Sequence, residues 1–146
     1  MKKVLVVYCS MTGNTKAAAE AIASGVVAAG GQVSLKDCKE ATAEDLLQCG
    51  AVAFGSYDAF SYMGGGLKDY FDRIFYPAKD SVAGKPFAAF MTHGGKGNGI
   101  ASIEALAQAM KLKKLADSIP VPGRPDDKAL GELKSLGGKL VEACSK

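Results

Sequence analysis

Three short stretches of the chain are apolar without interruption: Val4-Leu5-Val6-Val7, Ala51-Val52-Ala53-Phe54 and Phe87-Ala88-Ala89-Phe90-Met91. Unbroken aliphatic and aromatic runs of this length predict central parallel strands covered on both faces, the second continuing through Gly55 to Ser56. Gln32 to Lys36 instead alternates polar and apolar positions, which predicts a strand at the sheet's margin with one wet face. Ser118 to Val121 supplies a fifth strand, and Pro120, unable to donate to a ladder, places it at an edge.

Between these strands the apolar period changes to that of a helix. A helix runs from Asn14 through K-A-A-A-E-A-I-A-S-G-V-V-A-A and is closed by Gly30 and Gly31. Thr42 caps a short helix through Gln48, ended by Gly50. Leu67, Tyr70, Phe71, Ile74 and Phe75 mark a third helix, stopped by Pro77. Ile100 to Ala116 reads as a fourth, with Ile103, Leu106, Met110 and Leu112 inward. Asp126 and Asp127 start the last, which runs to about Cys144 with Leu130, Leu133, Leu136, Leu140 and Val141 inward. Strand and helix alternate five times, so the fold class is α/β, a doubly wound five-stranded parallel sheet in three α/β/α layers. No linker or repeat divides residues 1–146, which read as a single domain able to bury ~70% of the surface its unfolded chain exposes.

Composition narrows the function. No apolar run approaches the ~20 residues of a membrane span, and the first residues lead straight into a strand, so a cytoplasmic protein with no membrane partner is expected. The net charge of +3 is mild, with no basic stripe interleaved with aromatics, which argues against nucleic acid. Cys9, Cys38, Cys49 and Cys144 are scattered with no C-x-x-C pair, and there is one histidine. Neither a disulfide scaffold nor a protein-ligated metal is signalled. Cys9 reads as a buried small hydrophobe, with a reactive thiol as the alternative.

The stretch carrying chemistry joins the first strand to the first helix. Ser10, Thr12, Asn14 and Thr15 place three hydroxyls and an amide around Gly13, directly before a helix N-terminus whose N–H groups have no internal partner. That arrangement suits a phosphate oxygen; simple helix capping is the alternative. Neither a Walker G-x-x-x-x-G-K-[ST] loop nor a G-x-G-x-x-G loop is present. Two further strands end in loops rich in aromatics or glycine, Tyr57 to Gly66 and Thr92 to Gly99. Three such loops at one sheet edge make one site.

S-M-T-G-N-T after an N-terminal strand resembles the [ST]-x-T-G-N-T phosphate loop of the flavodoxins. The resemblance extends along the chain: a G-S step after the third strand, a threonine and glycine-rich loop after the fourth, and a closing P-x-x-x-x-P-D-D from Pro120 to Asp127. It is similar to the short-chain branch, because nothing between Pro120 and Asp127 leaves room for the long insertion that splits the fifth strand elsewhere. The resemblance implies strand order 2-1-3-4-5, FMN at the switch point between first and third strands, and low-potential electron shuttling between a reductase and an acceptor protein by a monomer.

Residue roles follow from the same resemblance. Ser10, Thr12, Asn14 and Thr15, with backbone N–H groups from Met11 through Gly13 to Thr15, would bind the phosphate. The second loop, including Tyr57, Asp58, Ala59, Phe60, Tyr62, Met63, Gly64 and Gly65, would cover the ring. Tyr57, Phe60 and Tyr62 are candidates to stack on it, packing into the core being the alternative. Met63-Gly64-Gly65 resembles the turn whose peptide flips toward the flavin N5–H in short-chain members, glycine being suited to positive φ; a flexible loop tip is the alternative. Thr92, His93, Gly94 and Gly95 would meet the pyrimidine edge. His93 and Lys96 depart from the acidic surroundings usual in the family: a cation near N1 would stabilise the anionic hydroquinone, unless both side chains face solvent. The pI of about 8.6 is also unusual for flavodoxins and implies an acidic partner or direct reduction of a small molecule. An NAD(P)H-dependent FMN quinone reductase of the same superfamily is the alternative function, opposed by the short loops. A module that has lost the cofactor is opposed by the intact loop.

Overall fold

In the computed structural model, which describes residues 2–144, the apolar runs form β1 (Lys3–Tyr8), β3 (Ala51–Tyr57) and β4 (Pro86–His93), and the alternating stretch forms β2 (Gln32–Asp37). All pair in parallel in the order β2-β1-β3-β4, with β2 at one margin and the two unbroken runs β1 and β3 inside. Side chains alternate across the sheet as the pleat requires. Val4, Val6 and Tyr8 enter one apolar layer, and Leu5, Val7 and Cys9 the other.

Helices α1 (Asn14–Ala28) and α5 (Asp127–Ala143) cover the first face; α2 (Ala43–Gln48), α3 (Gly65–Ala78) and α4 (Ile100–Ala109) cover the second. Thr42 caps α2 through a reciprocal box with Asp45, and Asp126 caps α5 by accepting from the Ala129 N–H at 2.8 Å. Gly30, with φ 84°, ends α1. Among the described residues no helix is long and apolar enough to cross a membrane.

Three expectations change. The helix expected through Ala116 stops at Ala109, because Lys111 takes a left-handed φ of 62°. The Lys111 N–H donates to the Gln108 carbonyl and the Leu112 N–H to that of Ala107, a C-terminal motif usually marked by glycine. The released residues form β5 (Lys113–Lys114), so the fifth lane of the sheet is shared by β5 and β6 (Ile119–Pro122), both against β4. The break between them is short and is not the long insertion excluded from the sequence. Pro77 lies inside the last turn of α3 rather than ending it, and α3 begins two residues before Leu67. Leu130, expected inward, is 36% exposed, since the first turn of α5 projects beyond the layer that buries Leu133 and Leu136.

Glu104 pins both short strands to α4. Its carboxylate accepts from Lys114 Nζ at 2.8 Å and from the Ser118 hydroxyl. Lys114, then Ser118, hold the carboxyl below its usual range in spite of partial burial. A carboxyl depressed in the folded state stabilises it above the unfolded pKa, about 4.3, and that contribution is lost as pH falls through the folded value. The pair is partly solvated, so the effect is about 0.5 kcal/mol. Glu104→Gln is expected to lower the urea midpoint relative to the parent at neutral pH and to match it once both carboxyl forms are protonated.

Candidate functional site

The C-terminal ends of β1, β3 and β4 open into three loops at one end of the sheet. The first, between β1 and α1, turns at Gly13, whose φ of 98° and ψ of −11° put it in left-handed space as the N-cap of α1. With no side chain there, Ser10 reaches across the loop: its Oγ accepts from the N–H groups of Gly13 and Lys16, each at 3.2 Å. Among the described residues no partner takes the N–H groups of Asn14 and Thr15. Met11 and Thr12 are exposed and Asn14 is partly buried. Thr15 is buried, its hydroxyl 2.6 Å from that of Thr92, which ties the first loop to β4. The loop therefore turns N–H and O–H groups toward one spot in front of α1, with no carboxylate and no cation between Ser10 and Thr15.

The second loop is a pinned hairpin. The Asp58 N–H donates to the Thr92 carbonyl, Asp58 and Met63 form an antiparallel bridge, and Ala59 and Tyr62 exchange backbone hydrogen bonds. The two residues at the tip, Phe60 and Ser61, have φ of 55° and 64°. Positive φ at both central residues matches a type I′ turn, but neither is glycine, and such a backbone costs about 1–3 kcal/mol per residue. Phe60 stands free of the fold at 105% exposure, and Tyr62 is also exposed. Tyr57 turns inward, with its ring against Gly64 and the core layer beneath.

The glycine run is neither the loop tip nor the source of positive φ. Gly64 has φ −60° and ψ 148°, and Gly65 and Gly66 open α3. The Gly64 N–H donates to Ser56 Oγ at 2.7 Å, and that hydroxyl donates to the Tyr57 carbonyl. A Cβ on Gly64 would stand 2.6 Å from the Tyr57 ring, so glycine here serves close packing. Met63 is buried, its N–H held by Ser102 Oγ at 3.0 Å. Ser56, from the G-S step that ends β3, and Ser102, from α4, fix the loop, and no local sequence signal marked Ser102.

In the third loop Gly94, Gly95 and Lys96 are exposed. The His93 ring folds onto its own loop, with Nδ1 3.0 Å from the Gly95 carbonyl oxygen and Gly97 packed against its edge. Between the second and third loops Asp58 Oδ1 is buried with no hydrogen-bond partner among the described residues. An orphaned carboxylate oxygen marks a place where a donor is missing. A wide cleft of about 1210 Å³ lies at the opposite end of the sheet, lined by Lys2, Lys85, Lys113, Lys114 and Lys139 among others. Two of these amines are already engaged, Lys85 by the Leu46 and Leu47 carbonyls and Lys114 by Glu104.

Comparison with known proteins agrees with this architecture. The flavodoxin family model matches residues 6–110. A flavodoxin of Aquifex aeolicus is 37% identical over 115 residues, covering 77% of this chain; the match spans 62% of that protein's length. An NAD(P)H dehydrogenase (quinone) of Archaeoglobus fulgidus is 28% identical, covering 94% of this chain and 84% of its own. The solved structure of a flavodoxin from the domain Archaea superposes with a TM-score of 0.92 at 28% identity, covering 99% of each chain. The chain therefore belongs to the flavodoxin family.

Proposed function

We propose that this protein is an FMN-dependent electron carrier whose phosphate site is the loop Ser10 to Thr15. The observation carrying this reading is the pair of unpartnered N–H groups, Asn14 and Thr15, at the positive end of a 15-residue helix. Ser10 and Thr12 add hydroxyls and Gly13 leaves the backbone open to a close approach. The orphaned Asp58 Oδ1 also fits the cofactor, because an N–H or hydroxyl of a bound flavin would supply its missing donor. FMN, when bound, supplies the one- and two-electron chemistry.

The chain's own residues position and shield it. Tyr62 is the aromatic side chain best available for stacking, since the Tyr57 ring packs against Gly64 and the core layer, and Phe60 projects outward. The backbone of Thr92 to Gly95 takes the pyrimidine edge, and the His93 ring stays folded on its own loop. Met11, 73% exposed, with Phe60 and Tyr62 makes an apolar rim around the entrance. There a reductase and an acceptor protein can exclude water and approach the flavin closely.

The likeness to a quinone-dependent NAD(P)H dehydrogenase over 94% of the chain favours a second reading, direct reduction of a quinone. Stepwise anaerobic reduction of the FMN-loaded protein, followed by absorption, separates the two. The carrier reading expects a long-lived half-reduced state with a long-wavelength band and slow bleaching by NADPH alone. Direct passage to full reduction with rapid bleaching by NADPH assigns the reductase, and failure to bind FMN overturns both.

A further inference from the structure

Cys9 and Cys38 have no part in the site described above, yet the fold brings them together. They follow Tyr8 and Asp37, the last paired residues of β1 and β2, and the Cys38 N–H donates to the Tyr8 carbonyl at 2.8 Å. Both side chains leave these neighbouring strand ends on the α2–α4 face of the sheet. A Cβ on Gly66 would stand 2.9 Å from the Cys38 sulfur and 3.0 Å from the Cys9 sulfur, so the two crowd one point at the first turn of α3. Gly64 provides that helix with no side-chain cap. The Cys9 sulfur lies beside that uncapped turn, while the Cys38 thiol donates to Asp37 Oδ1 at 3.6 Å.

The surroundings of the two thiols shift them in opposite directions. The Cys38 thiol first, then the backbone and Tyr57, hold Cys9 below the usual thiol range against its burial. Cys38 is pushed up by its closeness to Cys9, by burial and by the nearby Asp37, to which its thiol donates. A lowered thiol beside a raised one is the division of labour that disulfide formation requires. Burial pushes the Cys49 thiol, which donates to the Leu46 carbonyl at 3.3 Å, up to about 11.

We propose that Cys9 and Cys38 form a peroxide-reactive pair, Cys9 as the attacking sulfur and Cys38 as the resolving one. The Cys9 thiolate attacks one oxygen of hydrogen peroxide; an S–O bond forms, the O–O bond breaks, and the departing hydroxide takes a proton and leaves as water. The Cys38 sulfur then attacks the sulfenic sulfur; the S–S bond forms, the S–O bond breaks, and the hydroxide leaves with the Cys38 proton as a second water. Two electrons pass from the two sulfurs to the peroxide. Cys9 is 7% exposed and Cys38 2%, so a small peroxide can enter where a bulky glutathione-type disulfide cannot.

The test uses the full chain as purified, reduced, freed of reductant and exposed to a small excess of hydrogen peroxide, with remaining thiols then alkylated for peptide mapping. The expected result is loss of two of the four thiols, a mass lower by two hydrogen atoms, a Cys9–Cys38 linked peptide, and alkylated Cys49 and Cys144. Glutathione disulfide should leave Cys9 and Cys38 as free thiols. Cys38→Ser should stop at a sulfenic acid on Cys9 that dimedone traps, and Cys9→Ser should slow the oxidation of Cys38 by at least about tenfold. The proposal is overturned if the parent keeps its four thiols, if Cys49 or Cys144 reacts first, or if glutathione disulfide oxidises the pair as fast as peroxide. The map of the parent protein decides even where a variant folds poorly.

Discussion

Gly25→Ala is expected to destabilise the protein by about 3 kcal/mol, although alanine in a helix interior is usually worth about 1 kcal/mol more than glycine. The reason is the crossing of α1 and α5. A Cβ on Gly25 would overlap the Lys134 carbonyl, and one on Gly137 would overlap the Ile22 carbonyl and crowd the Val26 nitrogen. Both obstacles are backbone, so no rotamer relieves them, and the helices must separate over the layer that buries Ile22, Val26, Leu133 and Leu140. Gly137→Ala should behave like Gly25→Ala. Gly138, next along the same helix, has nothing within 4 Å of its Cβ position, so Gly138→Ala should stabilise by up to about 1 kcal/mol. Thermal unfolding read by circular dichroism checks the set: a drop of about 10 °C for each of the first two and a small rise for the third. Three changes of the same sign would contradict the close crossing.

Gly13→Val is expected to weaken FMN binding by about 30-fold while leaving the fold intact. At φ 98° a β-branched residue is strained by about 1–3 kcal/mol. The backbone escapes that strain by rotating the peptide to Asn14, which turns an N–H group of the proposed phosphate site away. Space is not the obstacle, because nothing lies within 4 Å of the Gly13 Cβ position. Alanine, with the same backbone restriction, should lose most of the same affinity, which separates a conformational cause from a steric one. Fluorescence titration of the apoprotein with FMN measures both variants. Affinities within about threefold of the parent would remove Gly13 from the binding account.

The strands and the first loop were readable because their information is local. Uninterrupted runs such as Val4 to Val7 meet only the requirement of a strand buried on both faces, and the loop from Ser10 to Thr15 is contiguous with the strand and helix that frame it. Features that escaped depend on exceptions or on distance. Lys111 occupies the left-handed position that glycine usually marks, so α4 read too long and the two polar residues of β5 were hidden inside it. Phe60 and Ser61 form a tight turn without the usual asparagine or glycine, while the adjacent glycine run, which reads as the turn, leads into α3. The Thr15–Thr92 hydrogen bond spans 77 residues, and the Cys9–Cys38 pair exists only once β1 and β2 are in register. Tyr57 illustrates the same limit: an aromatic residue after a strand is equally consistent with facing a ligand or the core, and its packing against Gly64 and the core layer decides it.

The central claim, that the loop from Ser10 to Thr15 recognises the phosphate of FMN, is tested most directly by comparing FMN with riboflavin, which carries the same ring and no phosphate. Isothermal titration of the apoprotein with each ligand gives the difference in affinity. Hydrogen bonds to a charged group contribute about 1.5–3 kcal/mol each, so two such bonds from Asn14 and Thr15 predict FMN binding at least about 100-fold tighter. Equal affinities for the two flavins would contradict the account and return the loop to the role of a helix cap.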